Sequence, residues 1–141
     1  MIEAQIEAKM VAALSLLITD VQVIGYWQEE TTSTRKEPPL INVKCNPRSV
    51  EEDTLPVLSC SVEIEVLTPS EYDQKKLKIA DWSEKVLSYL YTLNTTATAG
   101  TALSDTGYRV QGAFMQAGDT GFDTDQKANY MTTNLMVHFI I

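Results

Sequence analysis

The chain has 141 residues, 44% of them hydrophobic and 21% charged, with 19 acidic against 11 basic side chains and a net charge of −8. That length suits one domain with a respectable core and leaves little room for a second, and the composition is that of a folded soluble protein rather than a disordered one. The acidity excludes a diffuse basic surface that grips phosphates or an anionic membrane, although a nucleic acid that slides past unheld is compatible with it.

In chain order, residues 2–18 read as a first helix. Ile2, Ile6, Met10, Ala13 and Leu17 recur at helical spacing, Val11 and Leu14 widen the stripe, and Glu3 and Glu7 suit the positive end of the helix dipole. The apolar run Met10 to Ile18 is too short to span a bilayer, and acids stand where a secretion signal carries positive charge, so synthesis in a cytoplasm is expected. Lys9 is the helix's single lysine, which argues against a membrane-surface anchor. Residues 21–28 follow as a strand rich in Val, Ile, Tyr and Trp, then a polar stretch ending at Pro38-Pro39. Leu40 to Asn46 is a second strand with Ile41, Val43 and Cys45 on one phase; a polar connection with the acidic run Glu51-Glu52-Asp53 comes next.

Pro56 to Thr68 is the strongest strand: Leu58, Cys60, Val62, Ile64 and Val66 alternate with Ser59, Ser61, Glu63 and Glu65. Three strands in succession most simply make an antiparallel meander. Cys45 and Cys60 have no metal-ligand spacing, are too few for a disulfide scaffold, and fall on apolar phases, as buried free thiols do. After Pro69, Ser70 is placed to cap a second helix, with Asp73 answering it three residues on. Tyr72, Ile79, Ala80, Val86, Leu87 and Leu90 form its stripe. The Thr/Ala/Gly/Ser segment 94–106 reads as a mobile loop, and its Asn94-Thr95-Thr96 acceptor pattern as chance. Gly107 to Ala117 and Asn129 to Ile141 close the chain as strands around a glycine-containing turn over 118–125. The expected fold class is α+β, a single domain over residues 1–141 in the order α-β-β-β-α-β-β, with a mainly antiparallel sheet and two helices packed on one face.

Little here announces chemistry. The only histidine, His138, lacks partners for a metal site or a catalytic triad, and no glycine-rich phosphate loop is present. Asp119, Asp123 and Asp125 do not follow the ligand pattern of an EF-hand. Glu63 and Glu65 sit about 7 Å apart on one strand face, but nothing in the sequence builds a pocket around them. Trp27 and Trp82 read as core or interface aromatics. No catalytic residue, cofactor or metal is expected. The stronger clue is the sheet face that one layer of helices leaves bare, carrying Ser61, Glu63, Glu65, Arg109, Gln111, Thr132, Asn134 and His138. Such a face either meets solvent, packs on another copy, or lines a wet channel. The long polar connections favour protruding contact arms.

The leading helix, three-strand run, Ser61-Val62-Glu63-Ile64-Glu65-Val66, the helix containing Trp82, and the closing strand Tyr130 to Phe139 together resemble the tail terminator proteins of long-tailed bacteriophages. These are also called tail-completion or head–tail joining proteins. The resemblance is one of element order, size and texture over most of the chain. It implies a homo-oligomeric ring, usually a hexamer, in the virion at the head-proximal end of the tail, assembled after synthesis in the host bacterial cytoplasm. There it would stop growth of the tail tube protein, present a surface to the head–tail connector proteins, and let DNA pass without specific binding. On this reading Glu63, Glu65, Arg35, Lys36, Asp119, Asp123 and Asp125 are candidates for the ring lumen or subunit interface. The competing expectations are another neck or tail-tube component of related fold, or a small cytosolic α+β enzyme or ligand-binding domain.

Overall fold

A computed structural model describes residues 1–28, 37–50 and 57–141. Its elements run α1 (Ile2–Leu17), β1 (Gln22–Gly25), β2 (Leu40–Cys45), β3 (Ser49–Val50), β4 (Leu58–Pro69), α2 (Leu77–Leu93), α3 (Thr96–Leu103), β5 (Arg109–Asp123) and β6 (Ala128–Ile140). The sheet order is β1-β2-β4-β6-β5, with the short β3 paired to β4. All pairs are antiparallel except the first. This is the expected α+β class, with the helices layered on one face of a largely antiparallel sheet.

The alternating pattern of β4 explains its central place. Cys60, Val62, Ile64 and Val66 point into one core with Ile41, Val43 and Cys45 of β2 and Leu135, Val137 and Phe139 of β6. Ile6, Met10 and Leu14 of α1 and Trp82, Val86 and Leu90 of α2 close that core from above. The Trp82 indole is fully buried except for the need of its Nε1–H, which donates to Asp20 Oδ1 at 3.0 Å.

Four local expectations are corrected. First, β1 pairs with β2 in parallel, with Gln22 opposite Leu40 and Gly25 opposite Val43, so the opening three strands are not a simple meander. The connection 26–39 is long enough to return the chain to the start of β2, whereas a hairpin would have reversed it. Second, α2 begins at Leu77 rather than near Ser70, and Tyr72 is exposed. The cap comes from Asp73, whose Oδ1 and Oδ2 each accept at 2.9 Å, from the backbone N–H of Lys78 and Ile79. Burial pushes the Asp73 carboxyl up, but these N–H bonds outweigh it and hold it below the usual range.

Third, residues 96–103 are a packed helix, not a loop. Thr95 caps it by accepting from Thr98 N–H, and Ala99 and Leu103 are fully buried. Its small residues permit close approach: a Cβ on Gly100 would lie 3.3 Å from the Val110 carbonyl oxygen. Fourth, the turn expected over 118–125 is mostly strand. β5 runs to Asp123 and β6 starts at Ala128, leaving only 124–127 to reverse the chain. The glycines serve close contacts instead, since a Cβ on Gly118, beside the bulge between Gln116 and Asp119, would strike the Thr132 carbonyl.

Replacing Asp73 by Ala should lower stability by about 1–2 kcal/mol through loss of the α2 cap. Chemical denaturation at pH 7 measures it, and an unchanged midpoint would remove Asp73 from this role.

Candidate functional site

Period two decides what the bare face of the sheet carries. In register, one row across it is Lys44–Glu63–Asn134–Gln116, and the next is Asn42–Glu65–Thr132–Asp119. This polar band is flanked by apolar patches. Met136 and Phe114 lie on one side, with the His138 ring centred 5.3 Å from that of Phe114. On the other side Leu40, Leu67 and Ala128 form a small second cluster with Ile24 and Tyr130. The face is therefore neither a plain solvated surface pattern nor a second core.

Four of the expected acids meet on this face. Glu63, Glu65, Asp119 and Asp123 all occupy its phase. Glu65 is half-buried, and burial pushes its carboxyl up; the Asn42 side chain pulls it down, while the charges of Glu63 and Asp123 push it up again. Asp119 is tied into the hairpin: Oδ1 accepts from Thr120 N–H at 2.8 Å, and Oδ2 accepts from the Tyr130 hydroxyl at 3.2 Å. Tyr130 in turn lies under Gly121, where any Cβ would meet its ring. Asp123 Oδ1 accepts from the N–H groups of Asp125 and Gln126, so its main local task is closing the β5–β6 turn. Asp125 belongs to that exposed turn rather than to the face. Arg35 and Lys36 lie outside the described residues. Of the other side chains expected on the face, Gln111 falls at a bulge between Val110 and Gly112.

At the β1 edge the band opens into a shallow depression of about 420 Å³ lined by Ile24, Tyr26, Asn42, Lys44, Glu63 and Glu65. Lys44 sits across from Glu63 in register, and its Nζ stands 4.6 Å from the centre of the exposed Tyr26 ring. Among the described residues no group of three or more His, Cys, Asp or Glu side chains could hold a metal ion. No helix among them is long and apolar enough to cross a membrane.

Glu3 and Glu7, expected only to suit the helix dipole, take a larger part in the fold. Both are buried on the inner face of α1. Glu3 forms a two-pronged pair with Arg48, Oε1 to Nη2 at 2.7 Å and Oε2 to Nε at 3.0 Å, and Oε2 also accepts Arg48 N–H. The Arg48 side chain holds the Glu3 carboxyl below the usual range against the opposing effect of burial. Glu7 has no cation. Its Oε1 accepts Trp27 N–H at 2.7 Å and its Oε2 accepts Cys45 N–H at 3.0 Å, while burial pushes its carboxyl up. A Cβ on Gly25 would collide with Glu7 Oε1, which accounts for glycine at the end of β1. The only sequence signal was that Glu3 and Glu7 share the Ile6–Met10 face.

The described residues form an α+β domain with one helical layer and one acid-bearing sheet face that none of their helices covers. No family model matches the chain, and no curated protein matches it. Among solved structures its fold is similar to that of a chain in the virion of a native gene transfer agent particle. The TM-score is 0.59 over 99% of this chain and 94% of that one, at 12% identity. At that identity the likeness is one of fold.

Glu65→Gln should raise the melting temperature at pH 7. A carboxyl raised by the fold favours the native state only when protonated, so its contribution falls as pH climbs from the unfolded value near 4.5. The gain should shrink below that pH, and a gain equal at pH 4 and pH 7 would refute it. Glu7→Gln should behave oppositely and cost about 1–3 kcal/mol at pH 7, because an amide NH₂ would face a backbone donor. Thermal melts of both variants across pH separate the two effects.

Proposed function

We propose that this chain is a virion assembly protein that closes the head-proximal end of a phage-type tail tube as a homo-oligomeric ring. In that role it ends tube polymerisation and offers a fresh surface for head–tail joining. The observation that carries the reading is the near end-to-end fold likeness to a chain of a gene transfer agent virion, 99% of this chain against 94% of that one. The whole domain, rather than a fragment, shares that architecture.

The bare face supports the same reading physically. A ring subunit needs a surface for its neighbours and a wall toward the lumen, and a closed ring uses the first without leaving an open end. Glu63, Glu65, Asp119 and Asp123 on one face, with Asp125 in the adjoining turn, would repel DNA phosphates, so a genome could pass without being held. The apolar patches on either side of that band, at Met136 and Phe114 and at Leu40 and Leu67, suit contact with a second copy. The partners on this reading are the chain itself, the tail tube protein and the connector proteins. The second reading, another neck or tube component, rests on the same likeness, which is to a virion chain without regard to its place in the particle.

Mass in solution across a wide concentration range should show a closed oligomer; a strict monomer at high concentration would rule out the ring. Purified protein added to polymerising tail tubes should shorten them and cap their ends, and unchanged tube length would favour the second reading. Glu63→Lys combined with Glu65→Lys should slow DNA release from assembled particles, in a way that added salt relieves.

A further inference from the structure

Cys45 and Cys60 place their sulfurs 3.3 Å apart in the core, on the neighbouring antiparallel strands β2 and β4. Both are free and buried. Register sets Cys45 opposite Val62, so Cys60 is its diagonal neighbour. The main chain of Cys45 is gripped on both sides: its N–H donates to Glu7 Oε2 at 3.0 Å, and its carbonyl accepts Trp27 Nε1–H at 2.6 Å. One residue on, Asn46 N–H donates to Ser61 O at 2.9 Å and continues the ladder. The strands therefore cannot slide, and the two sulfurs face each other as a consequence of the fold. A disulfide needs them at about 2.0 Å, so the two sulfurs must close by a further ~1.3 Å.

We propose that Cys45 and Cys60 form a dithiol site that hydrogen peroxide converts into a cross-strand disulfide, tying β2 to β4 beneath α1. Cys60 retains 2% exposure and Cys45 none, so Cys60 is the thiol that peroxide meets first. The neighbouring Cys60 sulfur and, next, burial also disfavour ionisation of Cys45. The Cys60 thiolate attacks one peroxide oxygen; the O–O bond breaks, hydroxide leaves and a sulfenic acid remains. The Cys45 sulfur then attacks the Cys60 sulfur, the S–O bond breaks, and the departing hydroxide takes the Cys45 proton as water. In sum two thiols lose two electrons and two protons, and one peroxide becomes two waters. The bond closes a chain loop that includes β3 and so restricts the unfolded state. Once formed it lies inside the core, shielded from thiol reductants. The site is a property of the chain itself and does not depend on the assembly role proposed above.

The test treats the folded chain with hydrogen peroxide, removes it, then unfolds in an alkylating agent and maps the peptides. Expected are a peptide joining Cys45 to Cys60, an intact mass lower by two hydrogens, and a melting temperature raised by roughly 5–10 °C. Reducing agent should reverse all three readily only after unfolding. Cys45→Ala should instead leave Cys60 as a sulfenic acid that a dimedone-type probe captures, with no rise in melting temperature; Cys60→Ala should give no internal cross-link. Both thiols alkylated after treatment, cross-links only between chains, or cross-linking that requires denaturant would each overturn the proposal. These outcomes are read on the unmutated chain, so a variant that fails to fold does not obscure the result.

Discussion

The carboxylate of Glu7 joins three parts of the chain that would otherwise have no fixed relation. It stands on α1, accepts the N–H of Trp27 just after β1, and accepts the N–H of Cys45 at the end of β2. One turn earlier Glu3 does the same for Arg48. A buried carboxylate is costly unless its lone pairs are satisfied; main-chain N–H groups at the sheet margin do this for Glu7, and the Arg48 guanidinium together with its N–H does it for Glu3. Helix and sheet each supply what the other lacks. Because the parallel β1–β2 pair lies at that margin, its position depends on this junction more than on hairpin geometry.

The same junction organises the two faces of the sheet. With α1 fixed over β2 and α2 over β4 and β6, the inner phase of every central strand is covered. The outer phase is left with Glu63, Glu65, Asn134, Thr132 and Asp119 at its centre. No helix among the described residues covers them. The Glu65 carboxyl is raised chiefly by burial and to a lesser degree by the charges of Glu63 and Asp123. An acidic band between two apolar patches differs from an evenly polar solvent face. It is the feature of the surface that the assembly reading uses.

Local side chains also determine which segments become regular. Asp73 starts α2 from outside the helix, and Thr95 starts α3 directly after α2 ends. Tyr130, Asp119 and Gly121 lock the outer half of β5 onto β6, which pairs with β4 on its other side, with the bulge at Gly118. This edge strand is exposed along most of its length beyond Gln116.

The sequence by itself determined the α+β class, the central place of β4, the burial of Val62 and Ile64 and the outward turn of Glu63 and Glu65. Strict alternation and helical spacing are local signals, readable one segment at a time. It also placed Cys45 and Cys60 in the core, but not their 3.3 Å approach, which depends on strand register. Tertiary structure alone decided that β1 runs parallel to β2, that the Thr/Ala/Gly segment packs as α3, and that Gly118 and Gly121 belong to strands rather than a turn. It likewise gathered Asp119 and Asp123 onto the face of Glu63 and Glu65, and turned Glu3 and Glu7 inward. In each case the deciding partner lies far along the chain: Cys45 and Arg48 for the two glutamates, Val110 for Gly100, Thr132 and Tyr130 for the two glycines. An acid on a helix looks solvated until the fold brings main-chain donors to it.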